Sequence, residues 1–116
     1  MSDTLPSPAN PNLDNSNDSN LSASQTTDYD RRFAGTNKIY GESSFQTFEN
    51  SHVMVIGIGG VGSWAVEALA RSGVGKLTLI DMDVIVASNV NRQLPALSST
   101  FGHAKIDIMA QRCREI

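Results

Sequence analysis

Residues 53–62 read VMVIGIGGVG, an apolar run rich in β-branched residues that breaks directly into Gly57-x-Gly59-x-x-Gly62. No other stretch of the chain restricts the fold as strongly. A short continuous apolar run bounded by glycines is the pattern of a strand buried on both faces of a parallel sheet. Parallel strands need a crossover, so a helix has to follow. Residues 62–72 supply it, with Ala65, Val66 and Leu69 at helical spacing and Gly73 and Gly75 as the stop. Residues 76–81, KLTLID, are the returning strand. The expected fold class is therefore α/β, built on a parallel sheet.

The remaining segments are read against that unit. Residues 43–49 (SSFQTFE) form one short helix with Phe45 and Phe48 on one face. Residues 82–98 show no clean period, and Pro95 discourages a long helix there. A loop of that length in a compact domain is often functional. From Phe101 a helix returns, with Ile106, Met109, Ala110, Cys113 and Ile116 on one stripe. Two strands alone leave apolar surface and strand edges open, so the chain reads as the front part of a longer protein.

Composition separates residues 1–30 from the rest. They hold five Asp and no Lys or Arg, amid Ser, Asn and Pro, with Leu5, Leu13 and Leu21 as their large aliphatic residues. Such a segment cannot bury enough apolar surface to offset the entropy of ordering, and it reads as a disordered leader. It lacks the basic start and apolar block of a secretory signal and the arginines of a transit peptide. All nine basic residues lie in 31–116, a mild excess that does not by itself indicate a nucleic-acid surface. One cysteine excludes an internal disulfide and suits a reducing compartment, so the expected location is the cytoplasm. The longest apolar run falls far short of the roughly 20 residues a membrane helix needs.

The glycine pattern lies between a strand and a helix, which lifts it above a bare match. Gly57 permits the tight turn, Gly59 lets backbone N–H groups approach a phosphate, and Gly62 lets helix and strand pack closely. The helix N-terminus adds partial positive charge. Asp81, nineteen residues past Gly62, can accept the hydroxyl hydrogens of an adenosine ribose. Turn and carboxylate alone would suggest an NAD-dependent oxidoreductase. Ser88-Asn89-Val90-Asn91-Arg92-Gln93 and then Lys105 suit a triphosphate better, because attack at an α-phosphate builds negative charge that a guanidinium and an ammonium can hold.

GIGGVGSW, LTLIDMD, SNVNRQ and GHAK together resemble the adenylation domain of the ThiF/MoeB/HesA family, relatives of the ubiquitin-activating enzymes, over about residues 30–116. The resemblance implies a Rossmann-like parallel sheet of the ubiquitin-activating type, with residues 31–116 as its N-terminal part. It implies adenylation of a carboxylate with ATP and Mg2+. In that family's terms Gly57, Gly59, Gly60 and Gly62 are the nucleotide turn and Asp81 the ribose ligand. Asn89 and Arg92, with Gln93 beside them, contact ATP, and Lys105 is the essential lysine. With Arg32-Phe33-Ala34-Gly35-Thr36 and Tyr40-Gly41 added, the pattern is most similar to the family's bacterial tRNA threonylcarbamoyladenosine dehydratases. These imply a tRNA bearing threonylcarbamoyladenosine as substrate, cyclised at position 37 after its carboxylate is adenylated. They also imply a homodimer in which Arg32 reaches the partner's ATP site. Other members of the family activate a sulfur-carrier or ubiquitin-like protein, which leaves a sulfur-relay partner as the alternative.

Three departures bear on that resemblance. The family's magnesium-binding aspartate follows a later strand than any in this chain, so the chain alone is expected to be inactive. The thioester cysteine of some relatives is also missing, and Cys113, on an apolar stripe, reads as a buried structural thiol. His52 and His103 lack neighbouring ligands for a metal, and Trp64, Phe45 and Phe48 read as packing residues.

Overall fold

A computed structural model describes residues 2–6 and 26–116. The expected parallel pair is present as β2 (His52–Ile56) and β3 (Lys76–Ile80), with Val53 opposite Leu77 and Ile56 opposite Ile80. The crossover helix α4 runs Gly62–Arg71, starting directly behind the glycine turn. Its inward face is Ser63, Val66, Glu67 and Ala70; of the stripe expected from spacing, Val66 is fully buried, Leu69 is half-buried against the main core and Ala65 is half-buried. Val66 packs with Ile58, Leu77 and Leu79 in the main core.

The final helix α5 begins at Lys105 and ends at Arg114, four residues later than the Phe101 start expected from the sequence. Residues 101–104 are instead used by the preceding loop, which closes through a bridge between Val84 and Ala104. Ile106, Met109, Ala110 and Cys113 are all buried, as their periodicity requires. Burial pushes the Cys113 thiol up to about 11, so the group stays protonated and inert at neutral pH. Glu67 locks α4 to α5. Its carboxylate receives Arg112 Nε at 2.6 Å and Arg112 Nη2 at 2.9 Å, and Arg71 Nε at 2.7 Å. The Arg112 bonds, supported by Arg71, hold the Glu67 carboxyl below its ordinary value despite burial.

Two features depart from the sequence reading. Residues Ser2–Pro6, assigned by composition to a disordered leader, form strand β1. It pairs antiparallel with β3, Ser2 opposite Ile80 and Pro6 opposite Lys76, giving the sheet order β1-β3-β2. Leu5 enters the main core, and Thr4 Oγ1 meets Thr78 Oγ1 at 2.8 Å. Pro6 is tolerated because it closes an edge strand. The rest of the expected leader up to residue 25 lies outside the described residues. The second departure is β2, expected to be buried on both faces. Its exposure alternates, with Met54 and Ile56 open to solvent, because α4 and α5 pack on the sheet from one side and no described element covers the other.

Three short helices precede β2: α1 (Asp28–Arg32), α2 (Ala34–Tyr40) and α3 (Glu42–Glu49). The first also begins inside the stretch read as leader. Thr27 and Asp30 cap it reciprocally, Asp30 N–H to Thr27 Oγ1 and Thr27 N–H to Asp30 Oδ2. Tyr29 then anchors the group. Its ring packs on Phe33 and Phe45, with centroids 4.8 and 5.0 Å away, and its hydroxyl donates to the Gly73 carbonyl in the turn leaving α4. Among the described residues no helix is long and apolar enough to cross a membrane.

If β1 is a true part of the sheet, Leu5→Ala removes a core side chain. The expected cost is about 2–5 kcal/mol, read as a lower urea midpoint at unchanged slope. An unchanged midpoint would show that β1 is not seated in solution.

Candidate nucleotide-binding site

The site lies at the C-terminal ends of β2 and β3, where the glycine turn meets α4. Gly57 has φ 88°, a conformation that costs glycine nothing and strains other residues. Its N–H continues the sheet by donating to the Ile80 carbonyl at 2.8 Å. Gly62 is needed for another reason: a Cβ there would overlap the carbonyl of Gly57. At Gly57 a Cβ would meet nothing, so that side of the turn is open space into which a phosphate can come.

Asp81 ties the two strand ends together. Its Oδ2 accepts the Ile58 N–H at 2.7 Å, and its Oδ1 accepts the Asp83 N–H at 2.7 Å. Burial alone would raise this carboxyl. The amides of Asp83, Ile58 and Met82 and the charge of Lys105 outweigh it and hold the group below its ordinary 3.8. Asp81 is therefore an oriented anion beside the turn, as a ribose ligand must be.

Lys105 opens α5 almost wholly buried. Its Nζ stands 3.8 Å from Asp83 Oδ2, and its backbone N–H donates to the Asp83 carbonyl at 3.2 Å. Asp83 is exposed but partners the lysine.

The loop after β3 folds into two short 3-10 turns, Ala87–Asn89 and Ser98–Thr100. Asn89 is buried and organises the first. Its Oδ1 accepts the Val86 N–H at 3.0 Å, and its carbonyl accepts the Arg92 and Gln93 N–H groups. The Arg92 guanidinium donates to the Ser88 carbonyl and Asn91 Oδ1 while its stem lies along the turn, 3.3 Å from where a Gly60 Cβ would be. Gln93 points at Gly59, and its buried Oε1 has no partner among the described residues. An unpaired buried acceptor beside a phosphate turn is costly unless a ligand donor meets it.

The structure thus gathers Gly57, Gly59, Gly60, Gly62, Asp81, Asn89, Arg92, Gln93 and Lys105 around one turn. Arg32 is not among them. It pairs with Asp28 and donates to the Ile116 carbonyl, lining a cavity with Arg71 at the far end of α4. Trp64, expected in the core, is half exposed, and its ring N–H donates to the Arg92 carbonyl.

The family profile that matches residues 29–116 is that of the ThiF family. The chain belongs to the ThiF family. Its relatives in that family include the tRNA threonylcarbamoyladenosine dehydratase of Escherichia coli K12, 55% identical over 86 residues, covering 74% of this chain and 32% of the relative. The enzyme of the same name from Bacillus subtilis is 49% identical over 85 residues, covering 73% and 34%. Among solved structures, the E. coli dehydratase TcdA in complex with ATP superposes with a TM-score of 0.73 at 53% identity, over 74% of this chain and 35% of that one. The chain thus spans about a third of the length of the relatives it matches. The match supports a Rossmann-type fold of the ubiquitin-activating kind for this ThiF-family chain, and the same kind of structure has been solved with AMP.

The ATP phosphates fit the residues present: an open glycine turn, a helix N-terminus and the cations Arg92 and Lys105. Magnesium is different. Among the described residues no three His, Cys, Asp or Glu side chains form a set that could hold a metal ion.

The depressed Asp81 carboxyl has a pH signature. A lowered folded-state value contributes stability that is present above the unfolded value of 3.8 and lost as pH falls through the folded one. Asp81→Asn should therefore be less stable than the parent at neutral pH and should converge with it in acid. Parallel pH–stability curves for the two would show that the carboxylate is not held as described.

Proposed function

We propose that the protein is an ATP-dependent tRNA threonylcarbamoyladenosine dehydratase acting through carboxylate adenylation, with residues 31–116 as the N-terminal part of the adenylation domain. The observation that carries this is the packing of Arg92 and Gln93 against Gly60 and Gly59, with Lys105 and Asp81 across the same turn. An NAD site has no need of a guanidinium laid along its pyrophosphate turn. The ATP and AMP complexes of TcdA support the same choice of nucleotide.

In this reading a carboxylate oxygen of threonylcarbamoyladenosine attacks the α-phosphorus of ATP. The bond to the β-phosphate breaks, pyrophosphate leaves, and an acyl adenylate remains. Ring closure within the modified base then expels AMP. The backbone N–H groups at the start of α4 hold phosphate oxygens. Arg92 and Lys105 balance the charge that develops on the α-phosphate and the leaving pyrophosphate, and burial of Lys105 strengthens its effect. Asp81 fixes the ribose. Arg32, remote from the turn in its own chain, is assigned to the partner's site of a homodimer. The expected compartment is the cytoplasm, where tRNA and a reduced Cys113 coexist. The sulfur-carrier alternative shares the same nucleotide half-reaction and differs in the acceptor carboxylate.

Arg92→Ala and Lys105→Ala in the full-length protein should each lower AMP release with modified tRNA by about 10²–10³, with melting temperature little changed in the exposed Arg92 variant. Parent-like rates in both variants would contradict the assignment. Release driven by a carrier-protein C-terminus and not by tRNA would select the sulfur-relay reading.

A further inference from the structure

Arg92 and Gln93 can meet a nucleotide only if their loop is held in register with the phosphate turn. The loop's own bonds do not do this. The Arg92 guanidinium bonds to Ser88 and Asn91, and Asn89 bonds to Val86, Arg92 and Gln93, all within the same loop. These contacts make the loop stiff but leave its position open.

Leu94, packed against the main core, and two residues of the first turn of α4 set that position. Ser63 is fully buried. Its hydroxyl donates to the Gly59 carbonyl and accepts the Leu94 N–H at 3.2 Å. Trp64 follows it, and its indole N–H donates to the Arg92 carbonyl at 2.9 Å. One bond falls on each side of Gln93, so the backbone from 92 to 94 is tied twice to the helix that carries the turn. An exposed indole is not placed there by burial, because it is 53% exposed and outside both core clusters. Its one hydrogen bond is its structural reason.

We infer that Ser63 and Trp64 are positioning residues, a clamp that seats the Arg92 guanidinium and the Gln93 amide against the glycine turn before ATP arrives. The inference rests on the adenylation reading and adds to it the device that keeps the site preassembled. Their effect passes through Arg92, so it falls more heavily on a ligand that carries the β- and γ-phosphates than on one that ends at the α-phosphate.

Trp64→Phe keeps the ring and removes the donor, at an exposed position where folding is little affected. Calorimetric titration of the protein with ATP and with AMP should give an ATP dissociation constant raised about five- to tenfold, the worth of one hydrogen bond. AMP affinity should change less than twofold, at an unchanged melting temperature. Hydrogen exchange at the Leu94 amide should quicken in Ser63→Ala. If Arg92→Ala weakens ATP binding and Trp64→Phe does not, the clamp is wrong and the adenylation reading stands. Equal loss for ATP and AMP also overturns the clamp. A parent protein that binds neither nucleotide overturns the adenylation reading, and the clamp with it.

Discussion

The absence of a side chain at Gly62 is the constraint on which the rest of the site depends. The first turn of α4 lies so close to the end of β2 that any Cβ would overlap the Gly57 carbonyl. That approach points the free N–H groups of the helix into the open space above the turn. It also brings Ser63 and Trp64 within reach of the loop after β3.

Around this contact the charged groups are arranged by burial and hydrogen bonding. Asp81 is held ionised by backbone amides, and one of these belongs to Ile58 in the turn itself, so the Asp81 carboxylate and the glycine turn move together. Lys105 is buried at the mouth of α5 and reaches Asp83, while its charge acts on Asp81. The α4–α5 register behind it is fixed by Glu67 between Arg71 and Arg112. Anions after β3, cations at α5 and in the loop, and the N-terminus of α4 converge from different elements on the glycine turn. Such convergence is the usual sign of an adaptable site carried on a fixed scaffold.

The β2–α4–β3 unit was legible because its signals are local: apolar runs, helical spacing and glycines with steric reasons. Asp81, Arg92 and Lys105 could be named as a group from their types and order, and the structure brings them together around the glycine turn. What escaped was non-local. β1 is a short polar strand whose only large apolar side chain is Leu5, and nothing in SDTLP announces a partner seventy residues away. The α1 helix carried a readable signal in Thr27-x-x-Asp30, but the acidic, serine-rich context around it outweighed a single capping box. Trp64 was misplaced because a large aromatic ring on a helix normally packs inward. Its ring N–H found a carbonyl in a loop whose path no spacing predicts.

The central claim is that the glycine turn, Asp81, the Asn89–Gln93 turn and Lys105 form one ATP site. Amide chemical-shift mapping during an ATP titration tests it most directly. The account predicts shifts concentrated at residues 57–63, at Asp81 and Asp83, at Arg92 and Gln93, and at Lys105, with smaller changes at Arg92 and Gln93 when AMP replaces ATP. Shifts confined to the turn and Asp81, and matched by NAD, would contradict it.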